Sequence, residues 1–402
     1  MSISDNRNFR FLLFGALYLV QGTALAYFKN FLKPHLSGYE VDAASLGLLT
    51  AILLIPFILK IFLGLLSDRV NLFGLGYRKP YILIGLTLSG LALAGAGLVS
   101  PEQRFLLFST LIVLASFGVT IFDSATDGMA IDVTPVQEHG LIQTVMVGSR
   151  AVGIIILSIV IGTIADHYGF EPVFYFMGAA MFIPVLIVLR LREPSERPPH
   201  QNFEWQSFRV MGRASVLFFI LYAIVYSFVS FGVDGQITYY MEKAFDASGQ
   251  TIGFFGAIRS GGAIFGALLA GPLLDRVGRH IGSYLAIPLL AIMALPLSFA
   301  ADLDQLLMIG AFWGLAWGYQ EAVFFALAMD VAEPRIAASM FAIMMAISNA
   351  GTAAAEAIMT PLTDVIGFAG VFRILAACSV LIFPVLWAFF RLRAKEITKA
   401  DS

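Results

Sequence analysis

The sequence predicts an all-α membrane protein of twelve transmembrane helices, arranged as two parallel six-helix repeats with both termini in the cytoplasm. Three observations predict it: the composition, the spacing of apolar runs, and an internal match between the two halves. Of 402 residues, 59% are hydrophobic and 13% are charged, whereas a soluble domain carries about 25% charged residues. With the 37 glycines included, the apolar share reaches roughly 68% on the same scale. A soluble protein of this size would lack the polar surface to cover its core. That excludes a cytosolic enzyme, a secreted disulfide scaffold and a disordered regulator. The net charge of −2 gives no electrostatic basis for binding nucleic acid. A single cysteine, Cys378, excludes an intrachain disulfide and a cysteine-based metal or iron–sulfur site.

A membrane-spanning helix needs about 20 mostly apolar residues. Apolar runs between charged or Pro/Gly punctuation place the spans at 15–26, 44–66, 81–98, 105–126, 141–164 and 173–189, then 215–235, 251–274, 281–299, 306–329, 337–362 and 371–390. The loops between them are short. Arg7 and Arg10 precede an apolar run ending in Ala24, Leu25 and Ala26, the outline of a signal peptide. Cleavage there would leave eleven spans and break the repeat, so this run is expected to stay as the first span. Lys and Arg set the orientation: seventeen fall on the side shared by both termini and five on the other, which places both termini inside.

Residues 193–204 hold three prolines and mixed charge, the longest polar interior stretch. The expected organisation is therefore a bundle over 1–192, a cytoplasmic linker over 193–212 and a second bundle over 213–402. The halves match at fixed offsets. Adding 198 carries Asp123 to Glu321, Asp132 to Asp330, Gly153 to Gly351, Asp166 to Asp364 and Gly169-Phe170 to Gly367-Phe368. Adding 207 carries Gly64, Asp68 and Arg69 to Gly271, Asp275 and Arg276. Such an ordered series marks an internal repeat.

Gly271-x-x-x-Asp275-Arg276-Val277-Gly278-Arg279-His280 resembles the signature loop of the major facilitator superfamily, and Gly64 to Lys79 is its expanded counterpart. The resemblance covers essentially the whole chain. It implies two parallel repeats with a solute held between the halves near midplane. Phe31-Leu32-Lys33, Pro56-x-x-x-Lys60, Ser67-Asp68-Arg69, Gly76-Tyr77-Arg78-Lys79-Pro80, Phe122-Asp123-Ser124-Ala125-Thr126-Asp127 and Gly148-Ser149-Arg150-Ala151-Val152-Gly153 are similar to the folate–biopterin transporter family. Muropeptide permeases and acetyl-CoA transporters share part of this pattern. The second half departs from the folate–biopterin pattern by keeping a full signature loop.

An ionisable group at the bilayer centre costs at least ~2.5–3.5 kcal/mol on insertion scales, so such residues are paired or functional. Lys60, Asp123, Asp127, Arg150, Asp234, Arg259, Glu321 and Glu356 all fall within the spans, while the five histidines fall in loops or at span ends. A proton crossing the centre must then ride a carboxylate. Asp123 and Asp127, four apart, share a face of the fourth span, and Arg150 on the fifth is the expected counter-ion. Either the group couples transport to an ion, or it only locks two helices. On the tenth span Trp313, Trp317, Gln320 and Glu321 form one stripe suited to a planar or cationic solute, unless the tryptophans serve packing. Asn349, Thr352 and Glu356 make a polar stripe on the eleventh span. Tyr222, Tyr226, Ser230 and Asp234 make another on the seventh, and Gln21 on the first is a weaker candidate.

At the cytoplasmic ends, Asp68, Arg69, Arg78, Asp132, Asp275, Arg276, Arg279 and Asp330 are expected to form charge pairs that close the inner mouth; the bland alternative is a set of solvated positive-inside loops. No Walker loop, HExxH, GxSxG or dinucleotide fingerprint is present, and no cofactor or enzymatic activity is expected. The expectation is a monomeric secondary transporter of the plasma (inner) membrane. It would move a small polar or amphipathic organic solute, with protons or another coupling ion, by rocking the two halves. The resemblance makes folate- or pterin-like solutes the first substrate choice. The alternatives are an uncoupled facilitator and a non-transporting assembly factor or sensor on the same fold.

Overall fold

The computed structural model describes residues 6–74, 76–191, 193, 205–332 and 337–400, and among them all regular structure is helical. Of the expected connector 193–204, all but Glu193 lies outside the described residues. Helix α1 (Arg7–Ala26) runs through a π-helical turn (Tyr27–Phe31) into α2 (Leu32–Ser37). There follow α3 (Ala43–Ile58), α4 (Lys60–Arg69), α5 (Lys79–Ala96), α6 (Phe105–Val133), α7 (His139–Tyr168) and α8 (Phe170–Leu189). The chain continues as α9 (Ala214–Phe245), α10 (Gly249–Leu297), α11 (Leu303–Val331), α12 (Ala337–Ser379) and α13 (Ile382–Ala400).

Among the described residues, nine helical stretches are long and apolar enough to cross a membrane. Two of them, Gly249–Leu297 (49 residues) and Met340–Glu396 (57 residues), are long enough to cross twice, and each covers two of the expected spans. Each also contains a backbone break at a glycine, Gly278 (φ 82°) and Gly367 (φ 70°). Gly169, between α7 and α8, has φ 79° and ψ −179° against 70° and 167° at Gly367. The two are related by the 198-residue offset, so the repeat reproduces a backbone turn that an L side chain would strain.

The second expected span is divided. Pro56 lies inside α3, and at Leu59 (φ −79°, ψ −2°) the helix breaks before resuming at Lys60. Pro56 withholds its N–H from the Ile52 carbonyl and crowds the turn before it, whereas the break falls three residues further on, at Leu59.

The described chain forms two compact units. The first comprises 1–41, 55–201 and 248–257; the second comprises 42–54, 202–247 and 258–402. Within the first, α1 packs along α7, α5 along α6 and α8, and α4 against α6. Lipid tails are as apolar as leucine, so tight packing drives such association. A Cβ on Gly22 would stand 2.7 Å from the Arg150 carbonyl, and one on Gly153 2.6 Å from that of Leu19. Backbone contact between α1 and α7 at this level brings Tyr18 beside Arg150.

At one end of the first unit the helical stretch reaches Ser37, with His35 two residues from its end. His35 is 5% exposed, stacks on Phe170 at 3.9 Å and is hydrogen-bonded to the Tyr27 hydroxyl at 2.8 Å. Asp166 accepts from the backbone N–H groups of Gly249 (2.6 Å) and Gln250 (2.7 Å), capping the first turn of α10.

In the second unit α9 packs along α12 and α13. There Asp364, the repeat counterpart of Asp166, accepts from the Ala43 N–H at 3.4 Å where α3 begins. Asp42, just before that helix, accepts from the backbone N–H and hydroxyl of Ser45 at 2.9 and 2.7 Å, which holds its carboxyl below the usual range.

Candidate functional site

In the first unit, α6 presents Asp123 and Asp127 one turn apart. Lys60, the first residue after the break at Leu59, bridges them: its ammonium lies 2.5 Å from Asp123 Oδ2 and 2.7 Å from Asp127 Oδ2. The Asp123 side chain is 4% exposed, against 33% for each of the other two. Tyr18 on α1 donates its hydroxyl to Asp127 Oδ1. The other oxygen of Asp123, Oδ1, is buried and accepts no hydrogen bond among the described residues.

This corrects the expected counter-ion. Arg150 does not pair with Asp123 or Asp127; its guanidinium lies 5.6 Å from the centre of the Tyr18 ring. The reason is packing: the break in the second span sets α4 directly against α6, so the lysine reaches the carboxylates first. Gln21, one turn along α1 from Tyr18, is 1% exposed, and its Oε1 accepts no hydrogen bond among the described residues.

In the second unit, Tyr226 on α9 donates its hydroxyl to Glu321 on α11. Gln320 donates to the Tyr222 hydroxyl at 2.7 Å. Asp234 is paired with Arg259 of α10 at 2.9 Å, with both side chains at most 7% exposed. Arg259 also lies 5.8 Å from the Trp317 ring centre, and Phe231 meets that ring edge-on at 5.8 Å. Trp313 is 0% exposed. The expected α11 stripe is therefore divided: Trp313 is core, while Trp317 is half-buried beside a cation. Glu356 accepts from Thr50 (3.3 Å) and Thr360 (3.1 Å), a helix-to-helix tie. Thr352 bonds back to the Ser348 carbonyl at 3.2 Å, and Asn349 is half-buried.

At the helix ends expected to face the cytoplasm, Arg78 pairs with Asp132 at 3.0 Å and donates to Ser67 Oγ at 2.7 Å. Its second-half counterpart pairs Arg279 with Asp330 at 3.1 Å. The side chains of Asp68 and Arg69 lie outside the described residues. Asp275 and Arg276 are exposed, and among the described residues neither makes an ion pair. The pairs observed there join Arg78 and Arg279 to the α6 and α11 aspartates, not to Asp275. Glu193 accepts from the backbone N–H groups of Tyr77, Arg78 and Lys79 at 3.0–3.1 Å, capping α5.

Tyr18 and Glu193 were not singled out in the sequence. The signal for Tyr18 was present: Tyr18 and Tyr226 differ by 208, within one residue of the offset relating the signature loops. Glu193 carried no comparable signal, because its partners are backbone groups.

A family model described as Major Facilitator Superfamily matches residues 11–242 and 235–402. A folate-biopterin transporter from Synechocystis is 29% identical over 210 residues, which are 48% of this chain and 41% of the relative. Multidrug resistance protein 1 of Bacillus subtilis is 25% identical over 229 residues, 56% of this chain and 51% of the relative. The chain thus matches about half the length of these curated relatives. The solved structure of nucleoside transporter NupG superposes with TM-score 0.73 at 17% identity, covering 94% of this chain and 99% of that one. A bacterial homologue of the human lysosomal transporter Spinster gives TM-score 0.72 at 14% identity, covering 96% and 97%. At such identities the two structures show a shared fold.

Proposed function

The chain belongs to the major facilitator superfamily, and from that premise we propose that it is a proton-coupled secondary transporter of a small polar or amphipathic organic solute. The observation that carries this reading is the Asp123 carboxyl group. One oxygen is held by Lys60 at 2.5 Å, and the other is buried with no donor among the described residues. A buried carboxylate oxygen without a donor loses its hydration with nothing in return. A proton on that oxygen removes the penalty, and Lys60 keeps Asp127 as its partner. Asp123 is the proton site in this reading, and Lys60 is the group that feels the proton arrive.

Folate- or pterin-like solutes are the first substrate class to test, supported by the relative named folate-biopterin transporter. The full reading has twelve crossings in the plasma membrane, both termini inside, six-helix halves over 1–192 and 213–402, and alternating access by a monomer. The glycine breaks at Gly278 and Gly367 support eleven of these crossings, since each would turn one of the nine long apolar stretches into two spans.

Purified protein in liposomes with an imposed pH gradient tests it. Folate or biopterin added outside should accumulate above its external concentration and carry protons in. Equilibration without accumulation would leave an uncoupled facilitator, and no flux of any solute a non-transporting membrane protein.

A further inference from the structure

Lys60, Arg150 and Arg259 are basic side chains within the apolar helices, and two of these are matched by carboxylates. Lys60 is held by Asp123 and Asp127 at 2.5 and 2.7 Å. Arg259 is held by Asp234 at 2.9 Å and is 1% exposed. Arg150 differs. It is the tenth residue of the apolar stretch Leu141–Tyr168 and is half-buried. Among the described residues no carboxylate comes within 4.0 Å of it.

Its surroundings hold it in place without neutralising it. The guanidinium lies over the Tyr18 ring at 5.6 Å, and that ring is fixed because its hydroxyl is committed to Asp127. The α1–α7 backbone contact at Gly22 and Gly153 sets the height of both residues. An arginine stacked on an aromatic face keeps its N–H fork available at the edge. A guanidinium in an apolar stretch with no carboxylate marks a functional position. Nearby, the buried Gln21 Oε1 is an acceptor with no donor among the described residues.

We infer that Arg150 receives a carboxylate on the transported solute, so that the substrate is an organic monoanion at this point of contact. The inference rests on the transporter reading above and narrows its substrate class. A carboxylate matches the planar fork with two parallel hydrogen bonds. A phosphate dianion would call for a second cation, and the nearby Lys60 is already shared by two carboxylates. With Asp123 and Asp127 ionised, the four charges of Lys60, Arg150 and the two aspartates cancel. A proton on Asp123 leaves one net positive charge, so proton and anion favour each other's binding.

Two matched pairs of probes test this on the purified full-length chain: pterin-6-carboxylate against 6-hydroxymethylpterin, and nicotinate against nicotinamide. In at least one pair the acid should bind wild-type protein about tenfold or more tightly than its neutral partner. Arg150→Gln should abolish that preference by weakening the acid and leaving the neutral compound within about twofold. Arg150→Lys, which keeps the charge and guards against a folding defect, should retain part of it. Preference for nicotinate alone would uphold the anion site while ending the pterin reading. Equal binding of acid and neutral partner in both pairs, a preference that survives Arg150→Gln, or no binding of either acid at about 10 mM would overturn the inference.

Discussion

The hydroxyl of Tyr18 donates a hydrogen bond to Asp127 on a neighbouring helix, and Tyr226 does the same for Glu321 in the other half of the sequence. Both halves thus hold a tyrosine–carboxylate pair, but at different repeat positions, since the 198-residue offset carries Asp123 to Glu321 and Asp127 to Phe325. The position equivalent to Lys60 at offset 207 is Ala267, and that equivalent to Arg150 at offset 198 is Ser348. The basic residues of the first cluster therefore have no repeat counterparts, and the second half places its cation at Arg259 instead.

The tyrosine pairs are expected to be structural as well as electrostatic. Tyr18→Phe removes one donor from the Asp127 carboxylate without changing the ring's shape. It should lower stability by at most about 1.5–3 kcal/mol, the usual contribution of a hydrogen bond to a charged group, since Asp127 is one-third exposed and keeps Lys60. Chemical unfolding in detergent reads this; an unchanged midpoint would mean that lipid or water replaces the hydroxyl.

Lys60→Met should be more damaging, because it leaves two carboxylates facing each other near an apolar interior. Breaking a buried pair this way costs about 3–5 kcal/mol. The double variant Lys60→Met, Asp123→Asn should regain part of the loss, since the uncompensated charge goes with its partner. Additive losses in the two single variants and the double would show that the contact carries no coupling.

Asp123→Asn should abolish uphill, gradient-driven uptake while sparing exchange of solute across the membrane, because the amide cannot take up the proton. Asp127→Asn should do less, since Asp127 is one-third exposed and also bound to Tyr18. Accumulation by the Asp123→Asn protein at the wild-type rate would falsify the assignment. Glu321 is then the next carboxylate to replace.

Trp313 and Trp317 are expected to part company. Trp317→Ala should weaken solute binding by about 1–3 kcal/mol if its ring stacks on the substrate. Trp313 has no exposed surface, and Trp313→Ala should lower stability by about 3–5 kcal/mol. Calorimetric unfolding combined with a binding titration separates the two; an unaltered affinity in Trp317→Ala would assign that ring to holding Arg259.

At the helix ends, Asp132→Asn and Asp330→Asn remove the partners of Arg78 and Arg279. Each should increase labelling of an engineered cysteine from the side of the membrane that these helix ends face. Asp275→Asn should change labelling little, because Asp275 is exposed and makes no ion pair among the described residues. Equal labelling in all three variants and the wild type would reduce these charges to topology signals.

Much of this site was legible in the sequence because a charge in an apolar run stands out against its background. Lys60, Asp123, Asp127, Asp234 and Arg259 were each visible that way. Their pairing was not. Spacing shows which residues share one helix face, as with Asp123 and Asp127, but it says nothing about which other helix that face meets. Hence Arg150 was matched to the carboxylates that Lys60 holds.

Taken by itself, the amino-acid sequence determined the class of protein, the internal repeat and the identity of the intramembrane charges. Apolar run length, composition and offset are properties of the chain read in one dimension. Tertiary structure decided which cation neutralises which carboxylate, which tryptophan is core, and that Arg150 rests on a ring. The first and last of those outcomes depend on a break at Leu59 and a backbone crossing at Gly22 and Gly153. Each of these moves a side chain by ångströms, and ion pairing at low dielectric is decided on that scale.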